Sequence, residues 1–402
     1  MTHGRPGSRR GFRLALLVSL FAAACAGGDS LSSSDPDPLG PRIWTFLLTD
    51  SASGTAWVLQ TDTPVAVAER DAAPAPATLW TVLDSAPARR GLTVHAAVDG
   101  RELRFAVSDG AAPRGTATGR LFAYHGNGGA PRYAGSGVVT LDGVARTLRF
   151  DAIAGVPLPS EPFAPPAAPP LTGAPRAVVS LRADDCNTGE SEVLALLVEH
   201  RLTAEFAVPS RLVGRQGHCN WALVDSLAAA GNAIESHSRF HDNAPKDFPE
   251  FYLETVGAGR DLAARGHTPR VWVQPGSWLQ GPAHLDGPQK LASPYAALLR
   301  RMYGAVEAYV SDNPGSSLTY SYLGTRGPVV YSLRDFDDAA LHATLQRAAD
   351  TGRWIEFMWH TGDQPMERLG EQLAIIAQFR DAGSIAVMPL YEALAAGVTD
   401  RP

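Results

Sequence analysis

Three things are scarce in this chain, and each scarcity excludes something. Cysteine is scarce: the 402 residues contain only Cys25, Cys186 and Cys219. Their spacing suits neither a zinc finger nor a redox pair, so a cysteine-ligated metal fold and a dithiol oxidoreductase drop out. Excess positive charge is missing, with 35 Lys and Arg against 41 Asp and Glu and a formal net charge of −6. A nucleic-acid partner would need a basic face, which nothing in this balance supplies. Long apolar runs are absent beyond the N-terminus, so no later segment reads as a membrane-spanning helix. What remains is 45% hydrophobic and only 19% charged, the composition of a globular protein with real cores. Its length allows two domains.

The N-terminus reads as an address. Arg5, Arg9, Arg10 and Arg13 precede an apolar run, Leu14 to Ala24, of signal-peptide length. The run ends in Ala22-Ala23-Ala24-Cys25, which resembles a bacterial lipobox with Ala22 in place of the usual Leu. This predicts a signal segment over residues 1–25 and a lipoprotein whose mature chain starts at an acylated Cys25, anchored to a membrane of the bacterial cell envelope. The alternative is ordinary signal-peptide cleavage nearby. Ser8-Arg9-Arg10-Gly11-Phe12 also resembles a twin-arginine export signal, so the route is twin-arginine or Sec. Residues 26–41, rich in Gly, Ser, Asp and Pro, read as a flexible tether.

Residues 42–153 read as an antiparallel β domain, a small sandwich or barrel. Val94, Ala96 and Val98 lead through Asp99-Gly100 to Leu103, Phe105 and Val107. Val138, Val139 and Leu141 lead through Asp142-Gly143 to Leu148 and Phe150. Asp-Gly between alternating apolar runs is a strong hairpin signal. Trp44, Trp57 and Trp80 are expected in its core. The domain is either a carbohydrate-binding module or a spacer and docking unit. Residues 154–175 carry eight prolines, from Pro157 to Pro175, and read as a stiff linker.

After the linker, over residues 176–402, strands alternate with helices. Ala177 to Arg182, Thr203 to Val208, Asn232 to Ser236, Arg270 to Val273, Ala305 to Val310 and Trp354 to Trp359 read as short apolar strands. Ser191 to Arg201, Trp221 to Ala230, Asp338 to Asp350 and Glu367 to Asp381 read as helices. Alternation of this kind argues a parallel sheet, open or closed, with ligands gathering at the carboxyl ends of the strands.

Three sets of polar residues fall at such ends. Asp184-Asp185 closes the first strand, and adjacent carboxylates repel unless a cation sits between them; the bland reading is a solvated acidic turn. His237-Ser238-Arg239-Phe240-His241 follows another strand, and histidines four apart share one face of a helical turn. His360 follows a third strand; alone it would pass as structural. Together, one Asp and two His make a three-ligand set with a position left open for water. A second carboxylate can then act as base and a separate His as acid.

The order and context of these residues resemble the polysaccharide deacetylase family of carbohydrate esterases, over about residues 176–390. Arg182-Ala183-Asp184-Asp185 is similar to the family's first motif, and His237-Ser238-x-x-His241 matches its second. Met358-Trp359-His360 is similar to its fifth. The resemblance implies a distorted (β/α) barrel of seven or eight strands. It implies one divalent metal held by Asp185, His237 and His241, zinc first, with cobalt, nickel or manganese as alternatives. Asp184 would be the general base and His360 the general acid in hydrolysis of an N-acetyl group from a glycan.

There are departures. The third motif reads Val273-Gln274-Pro275-Gly276-Ser277, so the arginine that orients the base in the family is missing. Pro275 and Gly276 stand where the oxyanion and substrate would be supported. The fourth motif has no clean match; Asp335, Asp337, Asp338 and Asp363 are the candidates to support His360. Arg182 lies two residues from Asp184 on a strand, hence on the same face, and is the candidate to orient the base instead. Cys186 and Cys219 should both lie beyond strand ends, which predicts a disulfide in an oxidising compartment, against two separate thiols. Two other functions stay open: a non-catalytic glycan-binding member of the fold, and a metal-dependent amidase for a small molecule.

Overall fold

The computed structural model describes residues 42–398, apart from residues 54, 66–73, 82–86, 100, 126–129, 142, 159–176, 243–247, 277–293, 310–317 and 323–324. Cys25, the signal segment, the tether and most of the proline-rich linker lie outside the described residues.

The first domain is a barrel rather than a sandwich. Its strands are β1 (Trp44–Asp50), β2 (Ala56–Thr61), β3 (Ala75–Thr81), β4 (Pro87–Asp99), β5 (Glu102–Asp109), β6 (Ala112–His125), β7 (Ala130–Leu141) and β8 (Val144–Ala154). They pair antiparallel in chain order, and β8 returns to β1 with Ala154 opposite Trp44. Closure removes the sheet edges. Both Asp-Gly hairpins form: Asp99 faces Glu102 and Leu141 faces Val144. Phe46, Phe105 and Phe150 fill the interior, with ring centroids 4.6 and 4.8 Å apart along the row. Trp44 and Trp57 join this core as expected. Trp80 does not. Residues 75, 77 and 79 point inward on β3, so the two-residue period turns Trp80 outward, where the Arg301 guanidinium lies 3.7 Å from its ring centre. None of the three tryptophans is left free for a sugar.

The second domain contains β9 (Val178–Asp184), α1 (Glu190–His200), β10 (Glu205–Val208), α2 (Trp221–Ala229), β11 (Ala233–Ser236), α3 (Phe248–Ala263), β12 (Val271–Val273), α4 (Pro294–Met302), β13 (Ala305–Tyr309), β14 (Leu318–Tyr322), β15 (Thr325–Ser332), α5 (Asp338–Thr351), β16 (Trp354–His360), α6 (Met366–Asp381), β17 (Ala386–Val387) and α7 (Leu390–Ala395). Strands β9 to β16 pair in sequence, and β16 returns to β9, closing an eight-membered ring. All neighbours are parallel except around β14, which runs antiparallel to β13 and β15. This is the distorted (β/α) barrel. The short β17 adds to the beginning of β9, while β10 pairs with its end.

The outward side chains Leu181, Phe206, Ile355 and Phe357 pack under Val193 and Leu197 of α1 and Leu373 and Ile376 of α6. On the other face, Val178, Ala207, Val273 and Trp354 meet Leu390 and Ala393 of α7. The two domains share a core. Leu47, Val58 and Ile153 on the outside of the first barrel, with Val156 and Leu158, pack against Tyr252 and Val256 of α3 and Leu299 of α4. Tyr252 also donates its hydroxyl to the Val156 carbonyl at 2.9 Å. The first residues of the expected linker are therefore part of a packed junction. No helix among the described residues is long and apolar enough to cross a membrane.

Candidate metal centre

Asp185, His237 and His241 converge at the carboxyl ends of β9 and β11. One ligand atom from each lies within 4.8 Å of the others. Asp185 Oδ1 is 3.4 Å from His237 Nε2 and 3.0 Å from His241 Nε2. That oxygen is buried and has no hydrogen-bond partner among the described residues. An orphaned acceptor facing two ring nitrogens is an arrangement that a cation completes. His237 Nδ1 lies 3.1 Å from the Val273 carbonyl, which can only accept. Nδ1 therefore donates to that carbonyl, and Nε2 is the ring nitrogen that faces the centre. Burial works against an ionised Asp185, but the two imidazoles outweigh it and hold its pKa below the usual carboxylate range.

The histidine pair sits on a loop, not on the helical turn its spacing suggests. Ser238 and His241 both have positive φ, 62° and 58°. The backbone groups a helix would pair internally are engaged elsewhere. The Glu254 carboxylate of α3 accepts the N–H groups of Arg239 and Phe240 at 3.0 and 2.8 Å. The carbonyls of Ser238 and Arg239 accept from Ser210 and Arg211. The imidazoles still meet, with ring centroids 4.8 Å apart.

Asp185 is fixed from its other side. Cys186 and Cys219 form a disulfide with Cα atoms 5.3 Å apart. His218 Nδ1 contacts the Asp185 carbonyl at 3.1 Å. Asp185 and Cys186 adopt left-handed conformations beside that cross-link, with φ of 75° and 52°, uncommon for non-glycine residues.

Asp184 points to the inner face, where Arg182 grips it. Arg182 Nε lies 2.7 Å from Oδ1 and Nη2 lies 3.2 Å from Oδ2. Nη1 reaches Glu356 at 2.8 Å and also pairs with Glu307. Arg182, Glu307 and Glu356 are wholly buried. Burial, and then repulsion from Glu307, pushes the Glu356 pKa well up, and burial raises that of Glu307 against the pull of Arg182. Sequence reasoning missed this pair, although a lone Glu stands inside an apolar strand in both cases.

His360 ends β16 and keeps partial exposure. Its Nε2 is 3.8 Å from Asp185 Oδ2, and its Nδ1 is 3.1 Å from Asp363 Oδ2. Among the four aspartates considered for this support, Asp363 is the one in contact. Asp337 caps α5 at Ala340, Asp338 pairs with Arg368, and Asp335 faces Arg334. Glu190, at the start of α1, was also missed. It accepts from Thr361 at 2.8 Å, and burial pushes its pKa up to about 8. Pro275 and Gly276 follow β12 beside His237, but no hydrogen bond joins Gly276 to the three ligand residues.

The chain matches no protein-family model, and no curated protein matches it. Many of its structural neighbours are family 4 carbohydrate esterases. One, from Streptomyces lividans and in complex with acetate, is 18% identical, with 53% of this chain and 93% of that chain covered and a TM-score of 0.36. The catalytic domain of a peptidoglycan N-acetylglucosamine deacetylase from Eubacterium rectale is 14% identical, covering 56% and 93%, at 0.37. A pseudoenzyme of the same family from Bacillus anthracis is 14% identical, covering 53% and 64%, at 0.35. At that distance these likenesses add nothing to the geometry of the side chains.

Proposed function

We propose that the second domain is a metal-dependent hydrolase that removes N-acetyl groups from a glycan outside the cytoplasm, on a chain anchored to the envelope by lipid at Cys25. The observation that carries this reading is the convergence of Asp185, His237 and His241 on one unsatisfied carboxylate oxygen, flanked by a clamped carboxylate and a supported imidazole. The motif resemblance of His237-Ser238-x-x-His241 supports the substrate class.

Asp185, His237 and His241 would hold one divalent cation, zinc first. Such an ion polarises an amide carbonyl and makes water a nucleophile at neutral pH. Asp184 receives the proton of the attacking water. Arg182 fixes both of its oxygens, so the carboxylate needs no reorientation at the moment of transfer. His360 delivers a proton to the departing sugar amine. Its Nδ1 is engaged by Asp363, which leaves Nε2 to face the substrate. The partial exposure of His360 suits a group that must reach a leaving atom on a polymer lying across the strand ends.

The absence of an arginine at Val273 favours one other reading, a metal-bearing glycan binder without turnover. The test is acetate release from acetylated glycan oligomers, measured after chelation and after return of zinc. The proposal expects activity that disappears with the chelator and returns with about one metal per chain. Metal uptake with no acetate from any glycan would favour the binder. Acetate from small amides alone would favour the amidase.

A further inference from the structure

We propose that the pocket between α2, α3 and the loop over residues 209–220 binds an acidic group of the glycan, a carboxylate or phosphate carried on a sugar; its occupant rests on the deacetylase reading above. The cavity measures about 450 Å³, and Arg211, Arg215, Trp221, Asp261 and Arg265 are among its walls. That volume suits a sugar-sized group.

Charge in and behind this pocket is one-sided. Arg211 and Arg239 converge on a single carboxylate, that of Asp261, with Nε to Oδ2 distances of 2.9 and 3.0 Å. Ser210 also donates to the same oxygen at 3.1 Å. Asp261 thus balances one of two guanidinium groups. The Arg239 side chain is only 5% exposed, and its Nη1 is buried without a hydrogen-bond partner among the described residues. Arg215 and Arg265 make no ion pair among the described residues. Each leans on an aromatic ring instead, Arg265 at 4.8 Å from the Trp221 ring centre and Arg215 at 5.9 Å from that of Phe240. Burial and the neighbouring Arg239 and Arg215 lower the Arg211 pKa against the pull of Asp261. Four guanidinium groups around one carboxylate leave room for an anion, and guanidinium forks match carboxylate and phosphate oxygens.

The pocket shares a wall with the metal centre. Ser210 and Arg211 donate their N–H groups to the carbonyls of Ser238 and Arg239, between the two ligand histidines. The far end of the same loop is tied through Cys219 to Cys186, beside Asp185. A polymer bound at the metal centre would therefore have the arginines close to its path.

The test is calorimetric binding of the intact protein to three glycan oligomers of equal length: neutral and N-acetylated, uronate-bearing, and phosphate-bearing. At low salt an acidic oligomer should bind roughly tenfold or more tightly than the neutral one, as charge-assisted contacts would give. The advantage should shrink as salt is raised. It should vanish in an Arg215→Ala/Arg265→Ala variant, which removes two exposed side chains that have no ion-pair partner among the described residues and so leaves the fold intact. That variant should release acetate from the neutral oligomer at the unaltered rate. Preference for only the uronate or only the phosphate supports the site and names the source of the anion. Equal affinity for acidic and neutral oligomers, or a preference that survives in the variant, overturns it. Arginine-dependent binding with no acetate release from any glycan would instead overturn the deacetylase reading and leave the pocket standing.

Discussion

Arg182 holds Asp184 from two residues away on the same strand, with Nε 2.7 Å from one carboxylate oxygen and Nη2 3.2 Å from the other. In the family that the motifs resemble, an arginine from the third motif serves this purpose, and here that position is Val273. The same fork is reached from β9 because alternate residues of a strand share a face. Glu307 and Glu356 steady the guanidinium from behind.

If Asp184 is the base, as proposed, this grip should position it, and the loss of Arg182 should be felt in turnover. Arg182→Met should lower acetate release by roughly 10–100-fold, the range for groups that orient a metal site from behind, while metal content stays near one per chain. Removing one partner of a buried charge cluster also costs about 3–5 kcal/mol of stability. Combining it with Glu307→Gln and Glu356→Gln should recover much of that stability and none of the turnover. Metal analysis, denaturation and kinetics on both variants check this, and recovery of turnover in the triple variant would rule out the positioning role.

His360 and Asp363 should act as a unit. His360→Ala should slow acetate release by roughly 10²–10⁴-fold, the usual range for a general acid. Asp363→Asn should slow it less, because the imidazole remains but loses its orienting partner. Both deficits should narrow on an acetate ester, whose leaving group needs less protonation than an amine. An equal deficit on ester and amide would argue that His360 binds substrate rather than delivering a proton.

Much of this site was legible in the sequence, for a physical reason. Asp184, Asp185, His237 and His360 each close an apolar run, and a parallel barrel places the ends of such runs on one rim. The pairing of Cys186 with Cys219 followed from the same placement. What was not legible depends on distant partners. Glu254 on α3 pulls the histidine loop out of helical geometry, and nothing within residues 237–241 announces it. The helix α3 itself was hidden because Phe251, Tyr252, Leu253, Val256 and Leu262 are all buried, so no single apolar stripe emerges. Barrel closure in the first domain rests on β1 meeting β8, about a hundred residues away along the chain. One signal was present and unread: Glu205, Glu235, Glu307 and Glu356 each interrupt an apolar strand, and all four are buried.

The disulfide should stabilise the fold and the metal centre together. It closes a segment of sequence separation 33, worth about 3–4 kcal/mol on the chain-entropy account. Cys219→Ala should lower the denaturation midpoint accordingly and weaken metal affinity, since Asp185 is adjacent to Cys186. A midpoint that falls while metal affinity is unchanged would separate the cross-link from the site.

Glu190 predicts a dependence of stability on pH. Burial raises its pKa from an unfolded value near 4.5 to about 8 in the fold. Below the unfolded value both states hold the proton and no cost arises. Between about 4.5 and 8 the unfolded chain ionises while the folded one keeps its proton, so stability falls as pH rises, by up to about 1.4 kcal/mol per unit. Denaturation of the metal-free protein at pH 5 and pH 8 should show this loss, and Glu190→Gln should reduce it. An unaltered slope in Glu190→Gln would assign the effect to other groups.

The most direct test of the account is a paired measurement on the wild-type protein and Asp184→Asn. Both are assayed for bound metal and for acetate released from an N-acetylated glycan oligomer. Asp184→Asn keeps the shape of the side chain and removes the proposed base, whereas Asp185, His237 and His241 remain in place. About one divalent metal per chain is expected in both proteins, with acetate release from the wild type alone. Full acetate release by Asp184→Asn, or a metal-loaded wild type that releases none from any glycan, would contradict it.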